Sequence, residues 1–222
     1  MLSINTIVVP QGAEYQAVCR GLAQAKIKNV RVVPIPIGVK QIERVLSEHC
    51  EIIDNSSGIL IMGLCGSLSN LCAIGDALLV ESCKDVNYNL IKLNALLTAE
   101  IGEKLAIKTV AALTSDRVIT LAQEKLNLAR QYSADLVEME GYSYVVELQN
   151  QDKAVAMLRV VSDDSYSDIP DLNRAIDPQG NLKSLPMAIA LIEQPLAAVR
   201  LIKGSFAGLK ALEQITAKLF SV

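Results

Sequence analysis

The sequence has a single histidine, no tryptophan and only 4% aromatic residues. One histidine, His49, excludes metal centres built from several histidines. It also argues against a Ser-His-Asp hydrolase, because no G-x-S-x-G motif accompanies it. Carboxylates are therefore the main candidates for acid–base chemistry in this chain.

The charge balance and the cysteines exclude further classes. With 21 Lys and Arg against 24 Asp and Glu, the chain has no basic field for nucleic acid. The five cysteines are odd in number and show no C-x-x-C spacing, which predicts buried, reduced thiols in a cytoplasmic protein. We also expect no signal peptide and no membrane span, because the N-terminus lacks a basic region and no run reaches roughly 18 uninterrupted apolar residues.

The sequence is rich in hydrophobic residues, which make up 51% of the chain and give it a mean hydropathy of +0.32. This predicts either a subunit interface or an apolar substrate channel beside the core. Short β-branched runs alternate with segments of helical spacing, which predicts an α/β fold. We expect a single domain over residues 1–222, with a mixed, mostly parallel central sheet flanked by helices and a helical C-terminal segment from about residue 181.

The elements follow from this alternation. The predicted strands are Ile4–Pro10, Val30–Ile37, Gly58–Met62, Asp76–Ser82, Ile107–Leu113, Leu136–Met139 and Ala154–Val161. The predicted helices are Glu14–Lys26, Gln41–Cys50, Asn89–Glu103, Leu121–Arg130 and Gly141–Gln149, followed by Leu185–Ile192, Leu196–Lys203 and Phe206–Leu219.

Acidic residues follow three of the predicted strands. Glu14 comes after the first strand, Glu140 ends the segment Val137-Glu138-Met139-Glu140-Gly141, and Asp163 ends Arg159-Val160-Val161-Ser162-Asp163. Ligands of open α/β sheets bind outside the carboxyl ends of strands. Each acid also has a plain structural explanation, as a helix N-terminal residue or a turn cap. The glycine-containing segment Gly63–Ser67 is equally consistent with an ordinary tight turn.

Taken together and in this order, these segments resemble the nucleoside phosphorylase superfamily, which includes the methylthioadenosine/S-adenosylhomocysteine nucleosidases. Gly63–Leu68 resembles its glycine loop, Val137–Glu140 its V-E-M-E motif, and Arg159–Asp163 its R-x-x-S-D motif. The resemblance spans residues 4 to about 165. It implies cleavage of the N-glycosidic bond of a purine nucleoside, with adenine as the expected base.

The resemblance also implies roles for individual residues. Asp163 corresponds to the general acid that protonates purine N7, and Glu14 to the acid that activates water. Glu140 corresponds to the carboxylate that binds the ribose hydroxyls, Met139 to the side chain beneath the sugar, and Val118 to the residue against the base. The remaining expected substrate contacts are Glu138, Ser162, Gly66 and Ser67.

The acceptor of the glycosyl group stays open. Ile61 and Leu64 stand where phosphorolytic relatives place Arg and Ser, which modestly favours hydrolysis. Phosphate is possible as a co-substrate, and no other cofactor and no metal are expected.

The C-terminal part, Asp168–Gly180 with Glu193–Leu196, is similar to the hopanoid-associated phosphorylases. This similarity implies an alternative substrate, adenosylhopane, from which adenine would be released. A non-catalytic nucleoside-binding protein is the alternative from another class. The expected partners are a small nucleoside and further copies of the chain, as a homodimer or larger homo-oligomer. No nucleic acid is expected, and no membrane contact unless the substrate is a lipid nucleoside.

Overall fold

The structure is a computed structural model that describes residues 3–38, 42–177 and 183–221. Its strands are β1 (Thr6–Pro10), β2 (Arg31–Ile35), β3 (Ile59–Ser67), β4 (Ala77–Lys84), β5 (Leu90–Lys92), β6 (Thr109–Thr114), β7 (Leu136–Glu138) and β8 (Val155–Asp163). Its helices are α1 (Ala13–Gln24), α2 (Ile42–Glu48), α3 (Cys50–Asp54), α4 (Ala95–Leu105), α5 (Ala122–Tyr132), α6 (Gly141–Asn150), α7 (Ser184–Glu193) and α8 (Pro195–Phe220), with a 3₁₀ turn at Asn173–Ala175.

The strands form one mixed sheet that partly closes on itself. β3 pairs with β7, β7 with β6, β6 with β4, β4 with β8, and β8 returns to β3. β1 and β2 extend the sheet in parallel from β3, and β5 forms a hairpin with β4. Most of these pairings are parallel, which confirms the predicted mixed, mostly parallel α/β architecture.

Helices cover both faces of the sheet, which explains why its strands are apolar throughout. In β1, Ile7 and Val9 pack with residues of α1, α4 and α8, whereas Val8 faces the opposite side and packs with α2 and α6. This alternation is the two-residue period of a strand that is buried on both faces.

The C-terminal helix differs from the prediction. α8 is continuous from Pro195 to Phe220, where the sequence predicted one helix ending at Lys203 and another starting at Phe206. Gly204 does not interrupt the helix; it allows α8 to lie against the carbonyl of Ser162, which a Cβ atom would strike. α7 begins at Ser184, and the predicted start near residue 181 lies outside the described residues. Within the described ranges, no helix combines the length and apolar character needed to cross a membrane.

Three other element predictions are corrected. The strand predicted to end at Met62 continues as β3 to Ser67, so Gly63–Ser67 is extended strand and not a tight turn. The predicted helix Asn89–Glu103 begins instead as the strand β5, and α4 starts only at Ala95. Asp85 is the reason, because its carboxylate accepts hydrogen bonds from the main-chain N–H groups of Asn87 and Asn89, both at 2.9 Å, and so forms a tight hairpin. The predicted helix Gln41–Cys50 is divided into α2 and α3, and Gln41 is outside the described residues.

All five cysteines have free thiols. Cys65, Cys72 and Cys83 are buried as predicted, whereas Cys50 is exposed, which corrects the prediction of a buried thiol at that position. Burial raises the pKa of the Cys83 thiol to about 12, so this group is a neutral part of the core.

Candidate active site

A cavity of about 240 Å³ lies at the carboxyl ends of several strands. Pro10 of β1, Gly66 of β3, Val137 of β7 and Asp163 of β8 all contribute to its wall. Strand ends converge here because β3, β7 and β8 are neighbours in the closed part of the sheet. This is the position in which α/β sheets usually bind ligands.

The structure brings nearly all the predicted site residues to this one cavity. Those lining it are Glu14, Gly66, Val118, Glu138, Met139, Glu140, Ser162 and Asp163. Ser67 is the exception and corrects the prediction. It is fully buried, does not line the cavity, and its hydroxyl donates to the Ser69 carbonyl at 2.6 Å.

Arg159 of β8 is buried beneath the cavity wall and contacts two of the acidic residues there. Its side chain is wholly buried, its Nη2 donates to Glu138, and the same atom lies 3.8 Å from Glu140 Oε2. Glu138 also accepts hydrogen bonds from the Thr114 hydroxyl and from the N–H groups of Glu140 (3.0 Å) and Gly141 (2.6 Å). The Glu138 carboxylate is thus fully engaged within the protein, so it anchors the loop rather than serving as the predicted substrate contact.

Glu140 is placed to act on a ligand. It directly precedes α6, and its Oε1 accepts a hydrogen bond from the Gly38 N–H at 2.9 Å. Burial, together with the nearby charge of Glu138, raises the pKa of Glu140 to about 7, although the Arg159 charge opposes this. Because a carboxylate presents two oxygens side by side, Glu140 is suited to bind two neighbouring hydroxyl groups.

Glu14 reaches the cavity from the first turn of α1. Its Oε1 accepts a hydrogen bond from the Leu64 N–H at 2.6 Å, which ties α1 to β3. Burial raises the pKa of Glu14, and the Leu64 hydrogen bond and the Arg159 charge partly offset the rise. Gly63 makes this arrangement possible, because a Cβ there would meet the Arg159 guanidinium and lie 2.9 Å from Glu14 Oε1.

Asp163 ends β8 and is held from two sides. Its Oδ2 pairs with the Nζ of Lys125, a wholly buried lysine of α5, and its Oδ1 accepts from the Ser162 hydroxyl at 3.0 Å. Burial raises the pKa of Asp163, and the Lys125 charge is the main opposing influence. Gly66 leaves room for this carboxylate, because a Cβ there would lie 2.9 Å from Asp163 Oδ2.

Arg159 and Lys125 are the functional residues that the sequence did not assign. Arg159 begins the R-x-x-S-D motif and stands within an apolar predicted strand. Its position in that strand could have indicated that its side chain is buried beside the acids. Lys125 gave no such signal. It stands in an amphipathic helix 38 positions from its partner, and its Nζ also donates to the Asp164 carbonyl at 2.6 Å.

The rest of the cavity wall is apolar. Ile119, Leu172, Ile176 and Leu201 contribute side chains to it. Val118 also lines it, and its main chain is paired with Asn173. The Val118 N–H donates to Asn173 Oδ1 at 2.8 Å, and Asn173 Nδ2 donates to the Val118 carbonyl at 3.1 Å. The 3₁₀ turn is thereby fixed against this wall.

This geometry combines an acidic end with an apolar end. Among the described residues that line the cavity, the one basic side chain is Arg117, which pairs with Glu124. Carboxylates around a developing sugar cation would stabilise it, and a carboxyl group of raised pKa can donate a proton to a leaving group. Within the described part of the chain, no cluster of His, Cys, Asp and Glu is arranged to hold a metal ion.

Solved structures with the same fold include nucleosidases and a futalosine hydrolase. The 5′-methylthioadenosine/S-adenosylhomocysteine nucleosidase of Helicobacter pylori superimposes with a TM-score of 0.65 at 16% identity, covering 95% of this chain and 96% of that one. The fold is that of these nucleosidases. The 5′-methylthioadenosine nucleosidase of Arabidopsis thaliana gives a TM-score of 0.67 at 15% identity over 96% of this chain and 93% of its own.

Futalosine hydrolase of Helicobacter pylori shares the nucleosidase fold equally well, with a TM-score of 0.65 at 15% identity and 95% coverage of both chains. No protein-family model matches the sequence, and the search of curated proteins found no match. The similarity is therefore one of fold, and the chemistry must be argued from the cavity itself.

Proposed function

We propose that the protein cleaves the N-glycosidic bond of a purine nucleoside and releases adenine. The observation that carries the proposal is the convergence of Glu14, Glu140 and Asp163 on one cavity of a nucleosidase fold, each carboxyl group having a raised pKa. A non-catalytic binding protein has no need for three buried carboxyl groups whose desolvation is costly.

Each group has a distinct task in this reaction. Asp163 donates a proton to N7 of the purine, so that the base leaves as a neutral molecule. Glu140 accepts hydrogen bonds from the sugar hydroxyls, and Met139 lies beneath the sugar. As the bond breaks, positive charge develops on the sugar, and the carboxylates around it stabilise that charge.

We propose water as the acceptor, with Glu14 as the base that removes its proton. The support comes from the positions that hold phosphate in phosphorolytic relatives. Ile61 and Leu64 stand there in place of Arg and Ser, so two donors for phosphate are missing, and Arg117, the one basic side chain among the described lining residues, is paired with Glu124. A water molecule does not need such a cationic site. Apart from the acceptor, the reaction needs no cofactor.

A second substrate class is favoured by the apolar end of the cavity. Leu172, Ile176 and Leu201 form a wall suited to a large apolar group on the sugar. A nucleoside such as adenosylhopane would fill it better than methylthioadenosine or S-adenosylhomocysteine, because its substituent is entirely hydrocarbon near the sugar.

Base release from a panel of nucleosides tests the proposal. The purified protein is incubated with methylthioadenosine, S-adenosylhomocysteine, adenosine, inosine and adenosylhopane, with and without phosphate, and free base is quantified by chromatography. We expect adenine release that does not require phosphate and a free reducing sugar as co-product. Strict dependence on phosphate would refute water as the acceptor and replace it with phosphorolysis.

A matched pair of variants assigns the acid. Asp163→Asn should lower kcat at least about a hundredfold, because asparagine cannot donate the proton. Asp164→Asn makes the same change one residue further along, where the side chain caps a turn through the N–H groups of Tyr166 and Ser167 and its charge has only a minor influence on the pKa of Asp163. It should keep nearly full activity. Equal losses in both variants would contradict the role of Asp163.

A further inference from the structure

Helix α7 and the first half of α8 expose an unusual amount of apolar surface. No residue of α7 is buried. Ile192 at the end of α7 is 78% exposed, and Leu196 at the start of α8 is 76% exposed. The other large apolar residues exposed on these two helices are Leu185, Ile189, Val199, Ile202 and Phe206. We call this set the apolar strip.

The spacing of the strip is helical. Leu185, Ile189 and Ile192 recur at intervals of four and three residues along α7, so they lie on one face of that helix. In α8, by contrast, the residues buried against the sheet are Ala198, Gly204, Gly208 and Leu212, on the side away from Leu196 and Phe206. The exposed face of α8 is therefore apolar, and it is separate from the face that packs against the sheet.

Basic residues accompany the strip. Between residues 183 and 210, the charged side chains are Lys183, Arg200, Lys203 and Lys210, against the single acid Glu193. All four basic residues are exposed. The whole chain has a net charge of -3, so this segment is a local exception to an acidic protein.

The strip adjoins the cavity. Leu201, next to Ile202 in α8, lines the apolar cavity wall, together with Leu172 and Ile176 at either side of the 3₁₀ turn. The N–H of Lys183, just before α7, donates to the carbonyl of Ala175 in that turn at 2.7 Å. The elements that bear the strip therefore also form the apolar wall.

We propose that the apolar strip docks the protein onto the surface of an anionic lipid bilayer, with the cavity beside the docking face. Exposed leucine, isoleucine and phenylalanine side chains on α7 and α8, with lysine and arginine on the same segment, match the composition of helices that lie in the membrane interface. The charges decide between this surface and a second copy of the chain. Two copies meeting through the strip would bring like charges together, whereas anionic headgroups neutralise them. The proposal does not depend on the proposed reaction, since lipid binding is measured without any nucleoside.

Flotation with lipid vesicles tests the docking. The full chain is mixed with vesicles of phosphatidylcholine alone or of phosphatidylcholine with phosphatidylglycerol, and bound protein is quantified after centrifugation. We expect at least about tenfold tighter binding to the anionic vesicles, weakening as salt is added. The double variant Ile192→Ser/Leu196→Ser should lose at least about tenfold in binding, as should Lys203→Glu.

Matched controls use the same changes elsewhere. Leu96→Ser alters an equally exposed leucine of α4, and Lys28→Glu reverses an exposed lysine after α1. Both should bind vesicles as the wild type does. Absence of binding to anionic vesicles would overturn the proposal, as would an equal loss in Leu96→Ser. A lipid-free dimer, detected by light scattering, that Ile192→Ser/Leu196→Ser converts to monomer would also overturn it, because the strip would then be a subunit interface.

Discussion

Replacing Lys125 with methionine removes the one positive charge that contacts Asp163 within the described part of the chain, and leaves a side chain of similar length in its place. In the proposed reaction, Asp163 must carry a proton, so activity falls as the pH rises through the pKa of this group. Lys125 opposes the upward shift that burial imposes on that pKa. Without Lys125, the pKa of Asp163 rises, and the alkaline limb of the pH–rate profile moves to higher pH.

The size of the effect follows from the contact. Lys125 is wholly buried and the Asp163 side chain is only 12% exposed, so solvent screens the pair weakly. Two unit charges about 4 Å apart interact by about 4 kcal/mol at an effective dielectric constant of about 20. Each 1.4 kcal/mol changes the protonation equilibrium by a factor of ten. At pH values above the alkaline limb of the wild type, the fraction of the maximal rate that remains should therefore be at least about tenfold larger in Lys125→Met than in the wild type.

The assay is initial-rate adenine release between pH 5 and 9 on the best nucleoside, with enzyme concentration corrected for folded protein. Lys84→Met is the matched control, because Lys84 also donates from Nζ to a main-chain carbonyl, that of Tyr132 at 2.7 Å, but pairs with none of the described acids of the cavity. Its pH profile should match that of the wild type. An alkaline limb that stays in place or moves to lower pH in Lys125→Met would refute the reasoning.

Three further perturbations have defined outcomes. The pKa of Glu140 rises from 4.5 to about 7 on folding, so between these pH values the native state keeps a proton that the unfolded chain has lost. The free energy of unfolding should therefore fall by at most about 3 kcal/mol as the pH rises through this range. In urea titrations, Glu140→Gln should show a smaller fall. Arg159→Met leaves Glu138 and Glu140 buried without their counter-charge and should lower the free energy of unfolding at pH 7 by about 3–5 kcal/mol, whereas an unchanged urea midpoint would contradict the assigned pairing. Gly66→Ala should displace the Asp163 carboxylate from Lys125, lowering kcat by about ten- to a hundredfold and also lowering the thermal midpoint, because Lys125 is then buried without its counter-charge.

Much of the site could be predicted because its residues stand at the ends of strands. Glu14 and Asp163 follow apolar runs that become β1 and β8, and because β1, β3 and β8 are parallel, their carboxyl ends meet at one edge of the sheet. β7 runs antiparallel to β3, so Glu140 reaches the same cavity through the pairing of Val137 with Gly66, which the sequence did not predict. Ser67 was predicted wrongly for a related reason. It closes β3 and looks available from its position in the sequence, yet its hydroxyl turns back to the Ser69 carbonyl.

The parts that could not be predicted depend on contacts between distant segments. Lys125 carries no local sign that its ammonium group is buried against Asp163, because lysines on amphipathic helices usually face solvent. Gly204 reads as a helix break in the sequence, but packing against Ser162 requires a glycine there and α8 continues through it. In both cases, tertiary contact overrides the preference that a residue shows in isolation.

The most direct test of the central claim is the rate of adenine release by the wild-type protein and by Asp163→Asn, measured side by side on the preferred nucleoside in phosphate-free buffer. We expect steady turnover by the wild type and a loss of at least about a hundredfold in the variant, with the nucleoside still bound. Nucleoside binding with no base released by the wild-type protein, from any member of the panel and with or without phosphate, would contradict it and identify a binding protein instead.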